Sequence, residues 1–211
     1  MRFKYVLFDL DGTLINTNKI IIDSFKYTLK KHLDLEVEGS EILKYFGEPL
    51  ITTLERFSKF EAKDMYDTYI QYNESIHDEN IWIFNNVDTV LKNLEDMGCI
   101  MAVVTSKRKA LAIRGLKVLD LYRYFQKVIA LEDTLRHKPN PDPILKALEE
   151  LDGDKDKALM VGDSEYDIKC AMNAEVKSVL VGWSAAEAHQ DPDMEPDYII
   201  KDIIHLMDIV K

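Results

Sequence analysis

The sequence predicts an α/β protein with a doubly wound parallel sheet into which a helical segment is inserted. Short apolar runs at residues 3–8, 99–104 and 158–161 alternate with stretches of helical periodicity, as expected for strands buried on both faces of a sheet. Alternating β and α units favour a parallel sheet with right-handed crossovers. Residues 16–81, by contrast, contain only helical patterns, which predicts a separate helical unit directly after the first strand.

The first strand ends in two carboxylates, Asp9 and Asp11, followed by Gly12. Side chains alternate along a strand, so the two carboxylates share a face if the backbone stays extended. Two anions at such a short distance repel each other. A cation or a shared proton between them relieves the repulsion. Gly12 permits a sharp turn at this point. This stretch is therefore the first candidate for a reactive site, with Asp9 as the reactive group.

The inserted segment is expected to contain four helices. In the first, apolar residues recur at helical spacing, and Asn18 can cap the N-terminus. Pro49 suits the first turn of the third helix. The four predicted helices span residues 16–31, 40–46, 49–60 and 61–77. The chain thus divides into a helical unit at 16–81 and an α/β core formed by 1–15 and 82–211.

From residue 85 onward, helices and strands alternate to the end of the chain. Gly98 is a C-cap for the first of these helices, and Pro141 and Pro143 open the third. The predicted strands span residues 99–104, 127–130, 158–161, 177–181 and 198–200. The predicted helices span residues 87–97, 109–119, 140–151, 166–174 and 203–209. Together with the first strand, these units complete the sheet.

Composition restricts the class of protein. The net charge of −11 argues against nucleic acid as a partner, because a polyanion needs a basic face. A small anionic substrate remains compatible, since local lysines and a bound cation can outweigh the global field. No apolar run approaches the roughly 18 residues of a membrane span, the N-terminus lacks a signal-peptide pattern, and the two cysteines form no disulfide framework. We therefore expect a cytoplasmic enzyme with no membrane partner. The sequence leaves open whether it is a monomer or a small homo-oligomer.

Polar residues follow four of the predicted strands or lie in the loops after them. They are Asp9 and Asp11, Thr105 and Ser106, Lys138, and Asp163 and Asp167. In a doubly wound sheet these ends lie at one edge, where ligands bind. Carboxylates without a His/Cys set suit a hard cation such as Mg²⁺, and a lysine with hydroxyls suits a phosphate. Because aspartate is a known nucleophile in phosphoryl transfer, the pattern predicts Asp9 aimed at phosphorus beside Mg²⁺.

Four short motifs resemble those of the haloacid dehalogenase (HAD) superfamily in their order and spacing. They are FDLDGTL at 8–14, VTS at 104–106, HKPNP at 137–141 and VGDSEYD at 161–167. The helical segment resembles the α-helical cap of the first class in that superfamily. Residues 14–18 and 138–143 look most like the branch that contains phosphoglycolate phosphatases and bacterial pyrophosphatases. The resemblance covers essentially the whole chain.

By that resemblance, Asp9 attacks phosphorus and Asp11 serves first as general acid and then as general base. Thr105 would hold the phosphoryl oxygens. Lys138 would neutralise charge between Asp9 and the phosphoryl group. Asp163 would ligate Mg²⁺ together with Asp9 and the backbone carbonyl of Asp11.

Four further residues have open interpretations, and Gly12 has a single expected role. Asp167 either supports the metal cluster or joins it, and an acid early in a helix is also favoured by the helix dipole. Ser106 either donates to phosphate or opens the next loop. Gly12 supplies the turn after the nucleophile and belongs to the expected phosphate-binding set. Lys107 and Arg108 either border the pocket or form a solvated charge run at a helix start.

The resemblance implies a Mg²⁺-dependent phosphohydrolase whose substrate is a small phosphorylated metabolite or inorganic pyrophosphate. Asp11 favours phosphate esters or anhydrides over haloacids, because a departing halide needs no general acid. The turn at 47–50 resembles the cap loop that meets substrate, although its Glu48 is unhelpful for binding an anion. Two alternatives remain: a phosphomutase that uses the same Asp9, and a phospho-acceptor receiver domain. A receiver domain, however, lacks both the long helical insert and an acid two residues after its acceptor.

Overall fold

A six-stranded sheet, in which all strands run parallel, forms the centre of the molecule. The computed structural model describes residues 1–46, 48–183 and 195–211. The strands are β1 (Tyr5–Phe8), β4 (Ile100–Val104), β5 (Lys127–Ile129), β6 (Ala158–Gly162), β7 (Lys177–Val181) and β8 (Tyr198–Ile200). Their order is β5-β4-β1-β6-β7-β8, which places β1 between the two halves of the sheet. The predicted doubly wound α/β fold is confirmed.

Helices flank this sheet and make up most of the inserted segment. The helices of the insertion are α1 (Asn18–Leu33), α2 (Gly39–Leu43), α3 (Leu50–Phe57) and α4 (Ala62–Ile76). Those that follow are α5 (Val87–Asp96), α6 (Lys109–Val118), α7 (Asp142–Glu150), α8 (Glu165–Asn173) and α9 (Leu206–Val210). Short 3₁₀ turns lie at Tyr122–Tyr124, Leu131–Asp133, Lys155–Lys157 and Ile203–His205. Within the described ranges, none of the helices combines the length and apolar character needed to cross a membrane.

Strand β1 is buried on both of its faces. Val6 and Phe8 belong to an apolar cluster with residues of α5, α6 and α9, and Tyr5 and Leu7 belong to a second cluster with residues of α7 and α8. This explains why the strand reads as a continuous apolar run rather than as an alternating one. The packing fixes the end of β1, and therefore Asp9, at the middle of the sheet edge.

The inserted helices have a small apolar cluster of their own. Phe25 and Leu29 of α1 pack there with Leu54 of α3 and with Met65 and Tyr69 of α4. The Phe25 and Tyr69 rings meet edge to face, with their centroids 4.9 Å apart. With an apolar cluster of their own, the inserted helices can keep their mutual packing independently of the core, as expected for a cap. The division of the chain at residues 15/16 and 81/82 remains a prediction.

A two-stranded antiparallel ribbon joins the insertion to the core and was not foreseen. It consists of β2 (Ile15–Asn16) and β3 (Trp82–Ile83). The prediction that the first helix starts at residue 16 with Asn18 as its cap is wrong. Asn16 is extended in the ribbon, Thr17 is the N-cap, and the Asn16 side-chain oxygen accepts the Asn18 N–H at 3.1 Å. Local periodicity does not reveal this pairing, because the partner strand is distant in sequence.

Candidate active site

Four loops meet at the carboxyl edge of the sheet around the end of β1. The register pairs Phe8 with Val103 of β4 and with Val161 of β6, so Asp9 emerges between the loops that follow those strands. The Asp9 N–H donates to the Val161 carbonyl oxygen at 2.9 Å, which extends the sheet pattern by one residue. Parallel pairing thus brings side chains from distant parts of the sequence to one place.

Three buried carboxylates and one ammonium form the centre of this site. Asp9, Asp163 and Asp167 each offer a carboxylate oxygen, and these oxygens lie within 4.8 Å of one another. Lys138 Nζ donates to Asp9 Oδ1 at 2.7 Å, to Asp167 Oδ1 at 2.6 Å and to the Val104 carbonyl at 3.2 Å. All four charged residues are at most 7% exposed. One ammonium does not balance three carboxylates, so the centre favours an additional cation.

Burial and charge shift the pKa values of this centre. Burial raises the pKa of the Asp9 carboxyl well above its ordinary value; Lys138 opposes this shift, and Asp167 and Asp163 add to it. Burial acts to lower the pKa of the Lys138 ammonium, but the charges of Asp167 and Asp9 outweigh it and raise that pKa. The Lys138 side chain therefore stays protonated and positively charged. Asp9 needs a further positive charge nearby if it is to act as an ionised nucleophile.

Asp167 is held by the N-terminus of its own helix, α8. The Ser164 N–H and hydroxyl both donate to Asp167 Oδ2, at 3.1 and 2.6 Å, and the Asp167 N–H donates back to the Ser164 hydroxyl, forming a capping box. A Cβ on Gly162 would lie 2.3 Å from the Asp167 Cβ, so only glycine fits beside it. Because Lys138 donates to Oδ1, both carboxylate oxygens of Asp167 already have protein donors, which favours a supporting role over direct metal ligation.

The turn after β1 is built around Gly12 and Thr13. Gly12 has a φ of 86°, a conformation that glycine adopts readily, and its N–H donates to the Ile15 carbonyl at 2.9 Å. The fully buried Thr13 hydroxyl donates to Asp163 Oδ1 at 3.5 Å, and the Trp183 indole N–H donates to the Thr13 carbonyl at 3.2 Å. The expected turn at Gly12 is confirmed, and it joins the loop after β1 to the loop after β6.

The loop after β4 supplies the predicted hydroxyls. Thr105 is 5% exposed, and its backbone N–H donates to the Ile129 carbonyl at 2.9 Å, which fixes the residue at the strand end. Its Oγ1 accepts the Lys107 N–H at 3.1 Å, leaving the hydroxyl proton available for a bound oxygen. Ser106 is half-buried in the bend that follows. The geometry therefore suits Thr105 better than Ser106 as a rigid phosphate donor.

Asp11 has a lysine partner of its own. Lys107 Nζ donates to Asp11 Oδ1 at 2.8 Å, and the two side chains are 12% and 24% exposed. Among the described residues, the acid cluster contains the other three aspartates and not the Asp11 carboxylate. Of the two interpretations of Lys107, the structure therefore supports the one in which it borders the pocket. Arg108 instead pairs with Glu74 and Glu132, and all three of these side chains are largely exposed.

Helix α4 of the insertion faces Asp11 from the other side. Burial raises the pKa of the Tyr69 hydroxyl, and the charge of Asp11 adds to that rise. His77, 1% exposed at the C-terminal end of α4, has its pKa lowered by burial and by Lys107, against the opposing effects of Asp78 and Asp11. The Lys107–Asp11 pair thus lies within electrostatic reach of α4, between the core and the inserted helices.

The turn expected to meet substrate also faces the core. Arg56 binds Glu48 through two nitrogens, Nη2 to Oε1 at 2.5 Å and Nε to Oε2 at 3.1 Å, and Thr53 donates to Oε2 at 3.2 Å. Burial raises the pKa of Tyr166 in α8; Glu48 adds to that rise and Arg56 opposes it, so both charges act on the start of this core helix. Gly47 lies outside the described residues. This pairing offsets the Glu48 charge, which would otherwise be unfavourable beside the expected anion-binding site.

Three contributions to the site were missed by sequence reasoning. Ser164 could have been found, because a serine three residues before an acid at a helix start is the pattern of a capping box. Gly162 and Tyr69 have no such local signal. Gly162 is required by a close approach in three dimensions. Tyr69 comes within electrostatic reach of Asp11 only because of the way the insertion folds over the core.

Comparison with known proteins points to one family. The model of the haloacid dehalogenase-like hydrolases matches residues 6–181. "Putative pyrophosphatase PpaX" of Caldanaerobacter subterraneus subsp. tengcongensis is 50% identical over 211 residues, covering 100% of this chain and 96% of that protein. Pyrophosphatase PpaX of Halalkalibacterium halodurans is 35% identical over 210 residues, covering 100% of this chain and 98% of that protein.

A solved structure with the same architecture is a haloacid dehalogenase-like family hydrolase from Streptococcus pneumoniae. It superposes with a TM-score of 0.91 at 21% identity, covering 100% of this chain and 99% of that chain. Likeness at that level of identity establishes the shared fold, including the inserted helices, and leaves the reaction to be argued from the site.

Proposed function

The chain belongs to the haloacid dehalogenase-like hydrolase family, and from this premise we propose that it is a Mg²⁺-dependent phosphohydrolase acting through an aspartyl-phosphate at Asp9. Its substrate is a small phosphorylated metabolite or inorganic pyrophosphate. The names of the relatives, which are pyrophosphatases, support the second of these. As a member of this family the chain is an enzyme, a hydrolase, which sets aside the receiver-domain alternative.

The observation on which this proposal rests is the buried centre of Asp9, Asp163, Asp167 and Lys138. A carboxylate at the end of a central strand, beside a lasting ammonium and further acids, is the arrangement that in-line attack on a phosphoryl group requires. A merely structural ion pair would not need a third buried carboxylate, whose charge works against stability.

The residues present fit a magnesium ion. Their donor set consists of carboxylate oxygens, buried and close together, with excess negative charge, and hard oxygen donors are what Mg²⁺ prefers. Asp9, Asp163 and the backbone carbonyl of Asp11 would hold the ion, while Asp167 supports the cluster through Ser164 and Lys138. When bound, the ion supplies positive charge that keeps Asp9 ionised and offsets the charge of the phosphoryl group.

The chain's own residues perform two steps. In the first, an Asp9 oxygen forms a bond to phosphorus while the bond to the leaving group breaks, and Asp11 gives a proton to the departing oxygen. In the second, Asp11 takes a proton from water, the water oxygen binds phosphorus, and the bond to Asp9 breaks, which frees phosphate. Thr105 holds the phosphoryl oxygens throughout, and Lys138 neutralises charge between Asp9 and the phosphoryl group.

The inserted helices at 16–81 act as the cap in this proposal. Their closure over the core at 1–15 and 82–211 would exclude water during attack by Asp9, and their opening would admit it afterwards. A phosphomutase with the same nucleophile is distinguished by its product, since it returns phosphate to a sugar instead of to water. Cytoplasmic location and a monomeric or small homo-oligomeric state remain predictions.

The test is phosphate release from a substrate panel with and without Mg²⁺. The panel contains pyrophosphate, phosphoglycolate, sugar phosphates and nucleotides, assayed with added Mg²⁺ and after chelation. We expect many turnovers on at least one of these substrates, and loss of about 100-fold or more of the rate without the metal. Full activity in the presence of chelator, or phosphate transfer to a sugar instead of water, would contradict the proposal.

A further inference from the structure

One side of helix α8 binds the loop that carries Lys138. Residues 167, 170 and 173 lie three apart in α8, a spacing that places their side chains next to one another on the helix surface. Each of the three hydrogen-bonds with a different residue of the segment 138–140. The contacts are Lys138 Nζ to Asp167 Oδ1 at 2.6 Å, Asn173 Nδ2 to the Pro139 carbonyl oxygen at 2.9 Å, and Cys170 Sγ to the Asn140 carbonyl oxygen at 2.9 Å. The helix thus contacts every residue of this segment.

Cys170 acts here as a hydrogen-bond donor. Its side chain is fully buried, and burial raises the pKa of the thiol to about 12, so the sulfur keeps the proton that it donates to the Asn140 carbonyl. The Ile144 N–H hydrogen-bonds to the same sulfur and opposes that rise. Ile144 lies in the first turn of α7, where backbone N–H groups lack partners within the helix, and the N-cap residue Pro141 has no side-chain acceptor for them. Cys170 therefore joins the end of the loop to the start of α7.

Asn173 holds the middle of the segment from the other end of α8. It is the last residue of that helix, and it is exposed. Its amide gives the Pro139 carbonyl a donor that belongs to the protein, whereas water could satisfy the same oxygen without fixing its position. The effect of this contact is therefore on the geometry of the loop, and little of the folding free energy depends on it.

The geometry of the loop decides where the Lys138 ammonium lies. A lysine ammonium sits on a flexible four-carbon stem, so its acceptors can hold the charge only while the backbone stays within reach. These acceptors are Asp9, Asp167 and the Val104 carbonyl, all within 3.2 Å of Lys138 Nζ. A shift of the loop by about 1 Å would draw the ammonium away from Asp9, and a misplacement of that size can cost about 100-fold in rate.

We propose that Cys170 and Asn173 are positioning residues for Lys138. Their contacts hold the loop on α8, the helix whose first turn also fixes Asp167 through Ser164. One rigid element thereby sets the distance between the ammonium and the acids. The effect of the two residues on the rate rests on the proposed function, whereas their effect on the ammonium does not.

The kinetic test removes each donor in turn. Asn173→Asp keeps the shape of the side chain but places an acceptor against the Pro139 carbonyl, and Cys170→Ala deletes the thiol. We expect kcat to fall about 10- to 100-fold in each variant on the substrate that the wild type turns over fastest. KM should stay within about threefold, because Thr105 and the inserted helices still bind the substrate.

Two further variants separate positioning from packing. Cys170→Ser keeps a donor at the same place and should retain kcat within about threefold of the wild type. Met172→Ala changes the neighbouring side chain of α8, which is 44% exposed, and should match the wild type. Thermal unfolding of every variant ensures that the assays are run on folded protein. Equal losses in Cys170→Ser and Cys170→Ala, or a wild-type kcat in Asn173→Asp, would overturn the proposal.

A measurement on the ammonium itself separates this proposal from the proposed function. Lys138 is 6% exposed, so its ammonium protons exchange slowly with water and can be followed by NMR of protein labelled with ¹⁵N-lysine. We expect exchange to be about tenfold faster in Asn173→Asp and in Cys170→Ala, and unchanged in Met172→Ala. If the wild type released no phosphate from any substrate, the proposed function would fail and this comparison would still decide. Unchanged exchange in both loop variants would show that α8 does not position Lys138.

Discussion

The carboxyl edge of the core sheet and the helical insertion solve different problems with charged residues. At the sheet edge, Asp9, Asp167 and Lys138 are almost fully buried, and the lysine donates a hydrogen bond to each of the two carboxylates. On the insertion, the Glu48–Arg56 pair is bidentate but partly open to solvent, with the arginine 52% exposed. The core group is rigid and expensive to disturb, whereas the insertion pair can be altered with little effect on folding.

The interiors of the two regions also differ in polarity. The sheet is packed by large apolar clusters on both faces, but the seam between α1 and α4 contains polar side chains. Asn73 donates to the Ser24 hydroxyl at 3.1 Å, and His32 and Thr68 lie 2.8 Å apart. Polar seams specify how helices pair and add less stability than apolar ones. Under the proposed function, the reacting groups would lie in the stiff region, and selection of substrate would fall to the adaptable one.

The largest effect expected from this contrast is that of Asp9→Asn. Turnover should fall by about 10⁴-fold or more, because the nucleophile is lost. Folding should survive, since Lys138 keeps Asp167 and the Val104 carbonyl as partners. Phosphate release and thermal unfolding measure the two effects. Asp208→Asn, at a side chain that is 81% exposed, is the control and should match the wild type.

Retained turnover in Asp9→Asn would remove Asp9 from the role of nucleophile. A protein that failed to fold would show instead that the buried centre, and not only the reaction, depends on this carboxylate. In that case the core site and the insertion would differ in how much they contribute to the free energy of unfolding.

The fold of the core could be predicted from the sequence because its central strands read as continuous apolar runs, which indicates burial on both faces. Asp9, Thr105, Lys138 and Asp163 were found for the same reason: each follows a strand end or lies in a loop at the sheet edge, and parallel strands end together. No knowledge of side-chain direction was required. The topology alone brings these residues to one edge.

The contacts that cross between the two regions could not be predicted in this way. The ribbon that pairs Asn16 with Trp82, and the approach of Tyr69 to Asp11, depend on how the insertion folds back over the core. Lys107 was ambiguous because a lysine at a helix start is usually solvated. Its pairing with Asp11 depends on the path of a loop, which periodicity does not encode.

A smaller effect is expected from Arg56→Met in the insertion. Removing the arginine leaves the Glu48 charge unbalanced beside Tyr166 and the site, where it repels an anionic substrate. We expect KM to rise about 3- to 10-fold with kcat nearly unchanged, and the rise to shrink at high salt. Steady-state kinetics at two ionic strengths measure this.

The double variant Glu48→Gln/Arg56→Met removes both charges and is the matched control. It should restore KM to near the wild-type value. A fall in kcat at constant KM would instead place Arg56 in the chemical step, and the division of labour between core and insertion would not hold.

The smallest effect expected is a pH dependence at the junction of the two regions, where His77 caps the C-terminus of α4. His77 Nδ1 lies 2.9 Å from Asp78, and its Nε2 is buried without a hydrogen-bond partner in the described part of the chain. Burial lowers its pKa; Lys107 acts in the same direction, and Asp78 and Asp11 oppose it. The unfolded chain, with a histidine pKa of about 6.5, therefore binds this proton more readily than the folded protein does.

It follows that the stability contributed by neutral His77 is fully present above pH of about 6.5 and is lost as the pH falls through the folded pKa. His77→Gln does not titrate, so its Tm should fall less steeply than that of the wild type between pH 7.5 and pH 5. Each kcal/mol corresponds to about 2–4 °C for a chain of this size. Parallel Tm curves for the two proteins would show that the junction opens to water and that His77 is protonated without cost.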